Sequence, residues 1–401
     1  MTAGADVPPR TAAEIVGVVG AGTMGAGIAQ VALQAGHVVR LHDVDPAAVD
    51  RARERIADSL TRRAERAGLE PPTIAESVAR TLGRLRPARD LDAVADGADL
   101  VIEAALEELE LKQRIFVALD RAAPAGAILA TNTSALSVDA IGAAANDRSR
   151  IIGLHFFNPA PQMALVEVVH TAASEPWATE RAIAFMTAWG KTPVRCADSP
   201  GFIVNRVNRP FTLEALSLVE TGVASVPQVD AALRDAGFPM GPFELMDLIG
   251  VDINLAAATG LYEAMGRAPR FRPSLLQERL VAAGQFGRKT GGGFYRYDAT
   301  GRALGPTVGP DGTDARGTPD AEIAERIVLA VVNEAFSAAG DEVATEADID
   351  RALRLGAGHP VGPFERVAGL GGRAGVAARL RGLARTGGPR FEPAALLADL
   401  R

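Results

Sequence analysis

Between Ile151 and His170 the chain carries a base, His155, and an acid, Glu167. Two apolar runs, Ile151 to Leu154 and Leu165 to Val169, flank a segment holding Pro159 and Pro161. Proline has no N–H and resists mid-sheet placement, so Asn158 to Gln162 reads as a turn that folds Glu167 back toward His155. A carboxylate beside an imidazole fixes its tautomer and stabilises the imidazolium formed when the ring takes a proton near neutral pH. From this stretch alone a strand-capping histidine and a solvated edge glutamate remain an alternative. What favours chemistry is the company the rest of the chain supplies.

That company begins at a glycine motif. A short apolar run from Glu14 leads into Gly20-Ala-Gly22-Thr23-Met24-Gly25, and Ala26 to Ala35 has the content of a buried helix ended by Gly36. Val38 to Leu41 reads as the next strand, and Asp43 follows it. Strand, three glycines, helix, strand and acid form the dinucleotide-binding constellation of a Rossmann-type, doubly wound α/β sheet. Gly20, Gly22, Thr23, Met24 and Gly25 would bring backbone N–H groups and a helix N-terminus to the phosphates. Asp43 would accept hydrogen bonds from the adenosine ribose, and its charge would repel a 2′-phosphate, so the expected cofactor is NAD rather than NADP.

Pro46 to Arg86 departs from a minimal βαβ unit: helical patterns over Ala47 to Ala67 and Thr73 to Leu85 are separated by Gly68-Leu-Glu-Pro-Pro, an inserted helical hairpin. Ser59, Arg62, Arg63 and Arg66 near its tip suit an anionic substrate handle, though a solvated helix face also explains a charge run. The sheet resumes at Ala98 to Ala104, a helix spans Glu107 to Arg121, and Ala127 to Ala130 ends in Thr131-Asn132-Thr133-Ser134. Ligands of such sheets sit at the C-terminal strand ends. Glu103, Glu107, Lys112, Asn132 and Ser134 lie there, and His155 follows on the next strand. Ser134 as a helix N-cap is the competing reading.

Composition narrows the partners. With 401 residues, 48% hydrophobic and 23% charged, two or three soluble domains are expected, and a net charge of −7 argues against nucleic acid or an anionic membrane. The stretch Met1 to Glu14 shows no apolar core of signal-peptide length and no later run reaches transmembrane length, so a cytoplasmic location is expected. The single cysteine, Cys196, excludes an internal disulfide, and no cluster has zinc-ligand spacing, so no metal is expected. Of 42 basic residues only Lys112, Lys191 and Lys289 are lysine.

With these residues placed, the chain resembles the L-3-hydroxyacyl-CoA dehydrogenase family over Gly17 to Tyr297. The resemblance rests on the glycine motif, Glu103…Glu107…Lys112, Asn132-Thr-Ser134, His155-Phe-Phe-Asn-Pro through Glu167, Gly190-Lys-Thr-Pro-Val, Asp198-Ser-Pro-Gly-Phe-Ile-Val-Asn205-Arg, Pro239-Met-Gly-Pro-Phe-Glu244 and Gly287-Arg-Lys-Thr-Gly-Gly-Gly-Phe-Tyr295. It implies His155 as base, Glu167 as its partner, and Ser134 and Asn205 as donors around the substrate oxygen. Glu107, Lys112 and Asn158 would hold the nicotinamide end of NAD, with Lys289 a further cofactor contact. Ser59 and Arg66 align with positions that meet the CoA moiety, although the second is usually lysine.

Beyond Asp198-Ser-Pro-Gly-Phe a helical region opens with a long helix predicted over Phe202 to Glu220. Glu214-Ala-Leu, Val229-Asp-Ala-Ala-Leu-Arg234 and Pro239-Met-Gly-Pro-Phe-Glu244 recur as Glu334-Ala-Phe, Ile349-Asp-Arg-Ala-Leu-Arg354 and Pro360-Val-Gly-Pro-Phe-Glu365, an internal duplication. The expected domains are 1–198 for NAD, 199–297 for the first helical copy, 298–319 as linker and 320–401 for the second copy. The second copy has no counterpart of Asn205, and His359 reads as structural. Copy two packed on copy one across a pseudo-two-fold would let a monomer do what a homodimer otherwise does. The expected activity is NAD-dependent oxidation of an L-3-hydroxyacyl-CoA. The alternatives are a dehydrogenase of a free 3-hydroxy acid such as gulonate and a non-catalytic NAD-binding structural protein.

Overall fold

Near-continuous apolar runs such as Leu100-Val-Ile and Ile128-Leu-Ala are what strands buried on both faces require, and they build an eight-stranded sheet. The computed structural model describes residues 14–307 and 317–398, so the expectation about the N-terminus falls on residues outside the described ones. Two compact units divide between Asp198 and Ser199.

The first unit holds β1 (Ile15–Val19), β2 (Val38–His42), β3 (Leu85–Pro87), β4 (Leu100–Glu103), β5 (Ile128–Thr131), β6 (Ile151–Phe156), β7 (Leu165–His170) and β8 (Thr192–Ala197). Their order is β3-β2-β1-β4-β5-β6-β7-β8. All neighbours are parallel except β6 and β7, whose antiparallel register sets His155 opposite Glu167. Helices α1 (Thr23–Gln34), α2 (Pro46–Arg66), α3 (Pro71–Leu82), α4 (Leu91–Ala95), α5 (Leu109–Ala122), α6 (Val138–Gly142) and α7 (Pro176–Ala188) complete the unit. The doubly wound fold and the α2–α3 hairpin are as expected from sequence. One boundary differs: α3 stops at Leu82 instead of Leu85, because Gly83 ends the helix and Leu85 joins β3 at the sheet edge.

The second unit contains α8 (Val204–Val207), α9 (Arg209–Glu220), α10 (Val226–Asp235), α11 (Pro242–Ile249), α12 (Val251–Ala264), α13 (Leu275–Ala282), β9 (Tyr295–Tyr297), β10 (Ala303–Pro306), α14 (Asp320–Gly340), α15 (Glu346–Gly356), α16 (Gly372–Gly387) and α17 (Ala395–Ala398). The single helix predicted over Phe202 to Glu220 is broken at Asn208 into α8 and α9. Pro210 has no N–H to return to the preceding turn, which explains the break. The segment read as linker is partly structured, since Ala303–Pro306 pairs antiparallel with β9.

Both helical copies lie in this one unit, and the same caps recur in each. Asp230 accepts the N–H groups of Phe243 and Glu244, and Asp350 those of Phe364 and Glu365. Across the seam each copy's glutamate receives two arginines of the other. Arg206 Nε reaches Glu334 at 2.8 Å and Arg270 Nε at 2.6 Å, while Arg326 Nε reaches Glu214 at 2.6 Å and Arg390 Nε at 2.8 Å. Positions 206, 214 and 270 map onto 326, 334 and 390 with one constant offset, so the seam is isologous, as between the halves of a two-fold dimer. No single helix among the described residues is long and apolar enough to cross a membrane.

Candidate active site

In the first unit, the antiparallel return of β7 on β6 brings His155 Nδ1 to 2.6 Å from Glu167 Oε2. Glu167 is 0% and His155 7% exposed. A ring that donates its Nδ1–H to the carboxylate carries its basic lone pair on Nε2, and Glu167 then faces the imidazolium formed when that nitrogen takes a proton. Phe157 packs against the ring with centroids 4.5 Å apart.

The turn between the two strands is fixed from both sides. Lys191, buried at the start of β8, donates from Nζ to the carbonyls of Ala160 at 2.5 Å and Met163 at 2.8 Å. Burial, and secondarily the charge of Arg63, lowers its pKa. On the other side a Cβ at Gly27 of α1 would come within 3.1 Å of the Ala160 Cβ, so glycine lets this helix approach the turn. Sequence reasoning gave Lys191 no role; the signal was its survival among so many arginines. Asn158 stands exposed on the turn.

The strand ends carry a second polar cluster. Lys112, 1% exposed, lies 2.6 Å from Glu103 and 3.2 Å from Glu107. Thr131 donates to Glu103, and Thr133 donates to Glu107 at 2.5 Å. Glu107 Oε1 also accepts the N–H of Ser134 at 3.0 Å and of Ala135 at 3.2 Å. Burial raises the Glu107 pKa, but the Thr133 hydroxyl, the Lys112 charge and the Ser134 amide outweigh it and hold the carboxyl below its ordinary value. The resemblance gave Glu107 and Lys112 to the nicotinamide; the structure has Lys112 sealed behind Glu107, which itself fixes the loop bearing Ser134. Asn132 Oδ1 accepts the Phe156 N–H at 2.9 Å, tying this loop to the strand of His155. The cap of α6 is Ser137 and not Ser134, which removes the N-cap reading of Ser134.

The glycine turn fits a dinucleotide. Gly20 has φ +98° and a Cβ there would strike the Ala104 carbonyl, while a Cβ on Gly25 would overlap the Gly20 oxygen. Gly22, by contrast, faces open space, and no side chain caps α1. The first-turn amides at Thr23, Met24 and Gly25 therefore suit phosphate oxygens. Asp43 holds this turn through the Ala21 N–H at 2.7 Å and keeps further acceptor capacity for ribose hydroxyls. Ser59 and Arg66 lie two turns apart on α2, Ser59 partly buried and Arg66 exposed.

Asn205 and Lys289 belong to the second unit. Asn205 sits on α8, and Lys289 is held by both oxygens of Asp252 at 2.6 and 2.7 Å. A cavity of about 310 Å³ on the seam between the copies is lined by Glu214, Arg270, Glu334 and Arg390, whose charges are spent on one another.

Residues 15–199 match the family described as 3-hydroxyacyl-CoA dehydrogenase, NAD binding domain. The C-terminal domain of the same enzymes matches residues 201–297 and again 323–400. A 3-hydroxyadipyl-CoA dehydrogenase of Escherichia coli (strain K12) is 39% identical over 89% of this chain and 91% of its own length. The mitochondrial hydroxyacyl-coenzyme A dehydrogenase of Sus scrofa is 42% identical over 70% of this chain and 90% of its own. Among solved structures, 3-hydroxybutyryl-CoA dehydrogenase from E. coli K12 substr. MG1655 superposes with a TM-score of 0.86 at 36% identity, covering 96% of this chain and 97% of that one.

Proposed function

Because the chain belongs to the 3-hydroxyacyl-CoA dehydrogenase family, we propose that its NAD-dependent, reversible oxidation of a 3-hydroxyacyl thioester to the 3-oxoacyl thioester uses His155 as general base. The observation that carries this is the buried 2.6 Å contact between His155 and Glu167. His155 Nε2 takes the C3 hydroxyl proton as the C3–H bond breaks, and Glu167 offsets the charge left on the ring. Bound NAD supplies the hydride acceptor. Ser134 and Asn205 donate to the oxygen that becomes the ketone. Glu107, braced by Lys112 and Thr133, fixes the Ser134 loop. Asn132, Asn158 and Lys289 are proposed cofactor contacts, and Ser59 and Arg66 proposed contacts to the CoA moiety.

General-base catalysis commonly contributes about 10² to 10⁴ in rate. His155→Gln is expected to bind NAD with unchanged affinity by calorimetry while kcat falls by about that factor. Unaltered kcat would remove His155 from the reaction.

We propose that the chain works as a monomer. The isologous seam between its two helical copies supports this, since it buries within one chain the kind of surface a dimer shares. Light scattering at micromolar concentration is expected to give the mass of one chain; a dimer that survives dilution would count against it.

A further inference from the structure

Three arginines are buried among the described residues, and two of them are accounted for. Arg150 donates to Asp120 and to the Pro124 carbonyl, and Arg206 to Glu334 and Asp341. Arg209, 7% exposed on the first turn of α9, has its Nε sealed from solvent with no partner. Arg366 also has unmatched nitrogens, but it is less buried and lies over the Phe238 ring at 5.5 Å. A buried cation without an acid is a cost that folding alone does not explain.

The duplication sharpens the point. The seam arginines occur in matched pairs, Arg206 with Arg326 and Arg270 with Arg390, each meeting a glutamate of the other copy. With the same offset, Arg209 corresponds to Leu329, which is 1% exposed. A leucine therefore satisfies the packing at this place in the fold, and the guanidinium belongs only to the copy that also carries Asn205. Asn205 and Arg209 are four residues apart on a path that stays right-handed helical through Asn208. Side chains so spaced share a face, separated by about 6 Å along the axis.

We propose that Arg209 receives the terminal carboxylate of a dicarboxylic 3-hydroxyacyl thioester of about six acyl carbons. The inference rests on the reading of Asn205 as a donor to the C3 oxygen. From C3 to the far carboxyl carbon of such a chain are three carbon–carbon bonds of roughly 1.5 Å, about 4 Å end to end, and the hydrogen bonds at its two ends span the rest of the roughly 6 Å between the two positions. The planar guanidinium offers two parallel N–H groups to a carboxylate, and a ligand that brings the missing counter-charge removes the cost of burying the cation. Burial alone draws the Arg209 pKa down to about 10, so it remains a cation at neutral pH.

The test is steady-state kinetics with two six-carbon 3-hydroxyacyl-CoA substrates, one ending in a carboxylate and the other in a methyl group. Wild type is expected to favour the carboxylate-ended substrate in kcat/KM. Arg209→Leu is expected to lower that preference by about 10 to 100-fold, mainly through KM, and Arg209→Lys to restore part of it. An unchanged preference ratio in Arg209→Leu overturns the assignment, as does a wild type that turns over the methyl-ended substrate better. Should Arg209→Leu fail to fold, the Lys variant and calorimetry of wild type with adipyl-CoA against hexanoyl-CoA decide: equal affinities overturn the proposal. A wild type inactive on both substrates would instead fail the 3-hydroxyacyl reading itself.

Discussion

The two helical copies share a scaffold and differ in what hangs on it. Both place an aspartate under the N-terminus of the next segment, and both send a glutamate across the seam to two arginines. In the first copy Asp247 pins the segment ending in β9 through the N–H groups of Phe294 and Tyr295 and the hydroxyl of Tyr297. The corresponding residue of the second copy is Ala368, and Asn205 and Arg209 correspond to Glu325 and Leu329. What recurs is therefore what holds the copies together; what appears once carries the proposed substrate contacts. The duplication has separated the two demands that a symmetric dimer would place on a single sequence.

The seam is the first place to test this division. Glu334 faces Arg206, whose side chain is only 2% exposed, whereas Glu214 faces Arg326 at 19% and Arg390 at 31%. Removing one member of a buried pair strands the other, at a cost of about 3–5 kcal/mol. Arg206 keeps Asp341 when Glu334 is lost, so Glu334→Gln is expected to lose about 3 kcal/mol, the low end of that range, by urea unfolding, and Glu214→Gln less, because both of its arginines can reach water. Equal losses would mean that the seam does not distinguish the two glutamates and that the asymmetry of burial carries no energy.

Local pattern made much of this readable. The glycine turn, the His155–Glu167 pairing and the repeat all have short-range signatures, since a strand period, a proline turn and a recurring string need no knowledge of distant contacts. The fold class follows from them. Less legible were interactions between residues far apart in sequence. Nothing adjacent to Lys191 announces that its ammonium ties down a turn some thirty residues earlier. Glu107 was assigned by resemblance to the cofactor, while its hold on the Ser134 loop appears only once β4 and β5 lie side by side. The seam pairs were hidden differently: Arg206, Glu214 and Arg270 all recur at the repeat offset, and reading charged as well as apolar positions through the duplication would have found them.

The smallest expected effect concerns the one buried histidine of the second copy's turn. His359 stands where the first copy has Phe238, with Nε2 2.8 Å from Asn208 Oδ1 and its ring against Phe211 and Phe238. Burial, then the Arg366 charge, pushes its pKa down to about 3. In the unfolded chain the ring titrates near 6.5, so between those values the unfolded state binds the extra proton. Its contribution is thus fully present above about pH 6.5 and is lost as pH falls toward 3. Asp230 in the first copy works in the opposite sense: burial raises its pKa to about 7, so the stability linked to it is present in acid and lost as pH rises from about 4 to 7. Comparing His359→Phe with wild type cancels the Asp230 term. The variant forfeits the Asn208 hydrogen bond at pH 7.5, yet it is expected to lose about 2 kcal/mol less than wild type between pH 7.5 and pH 5 in urea titrations. Parallel pH profiles would show that the histidine is not kept neutral by its surroundings, and that this difference between the copies is one of shape alone.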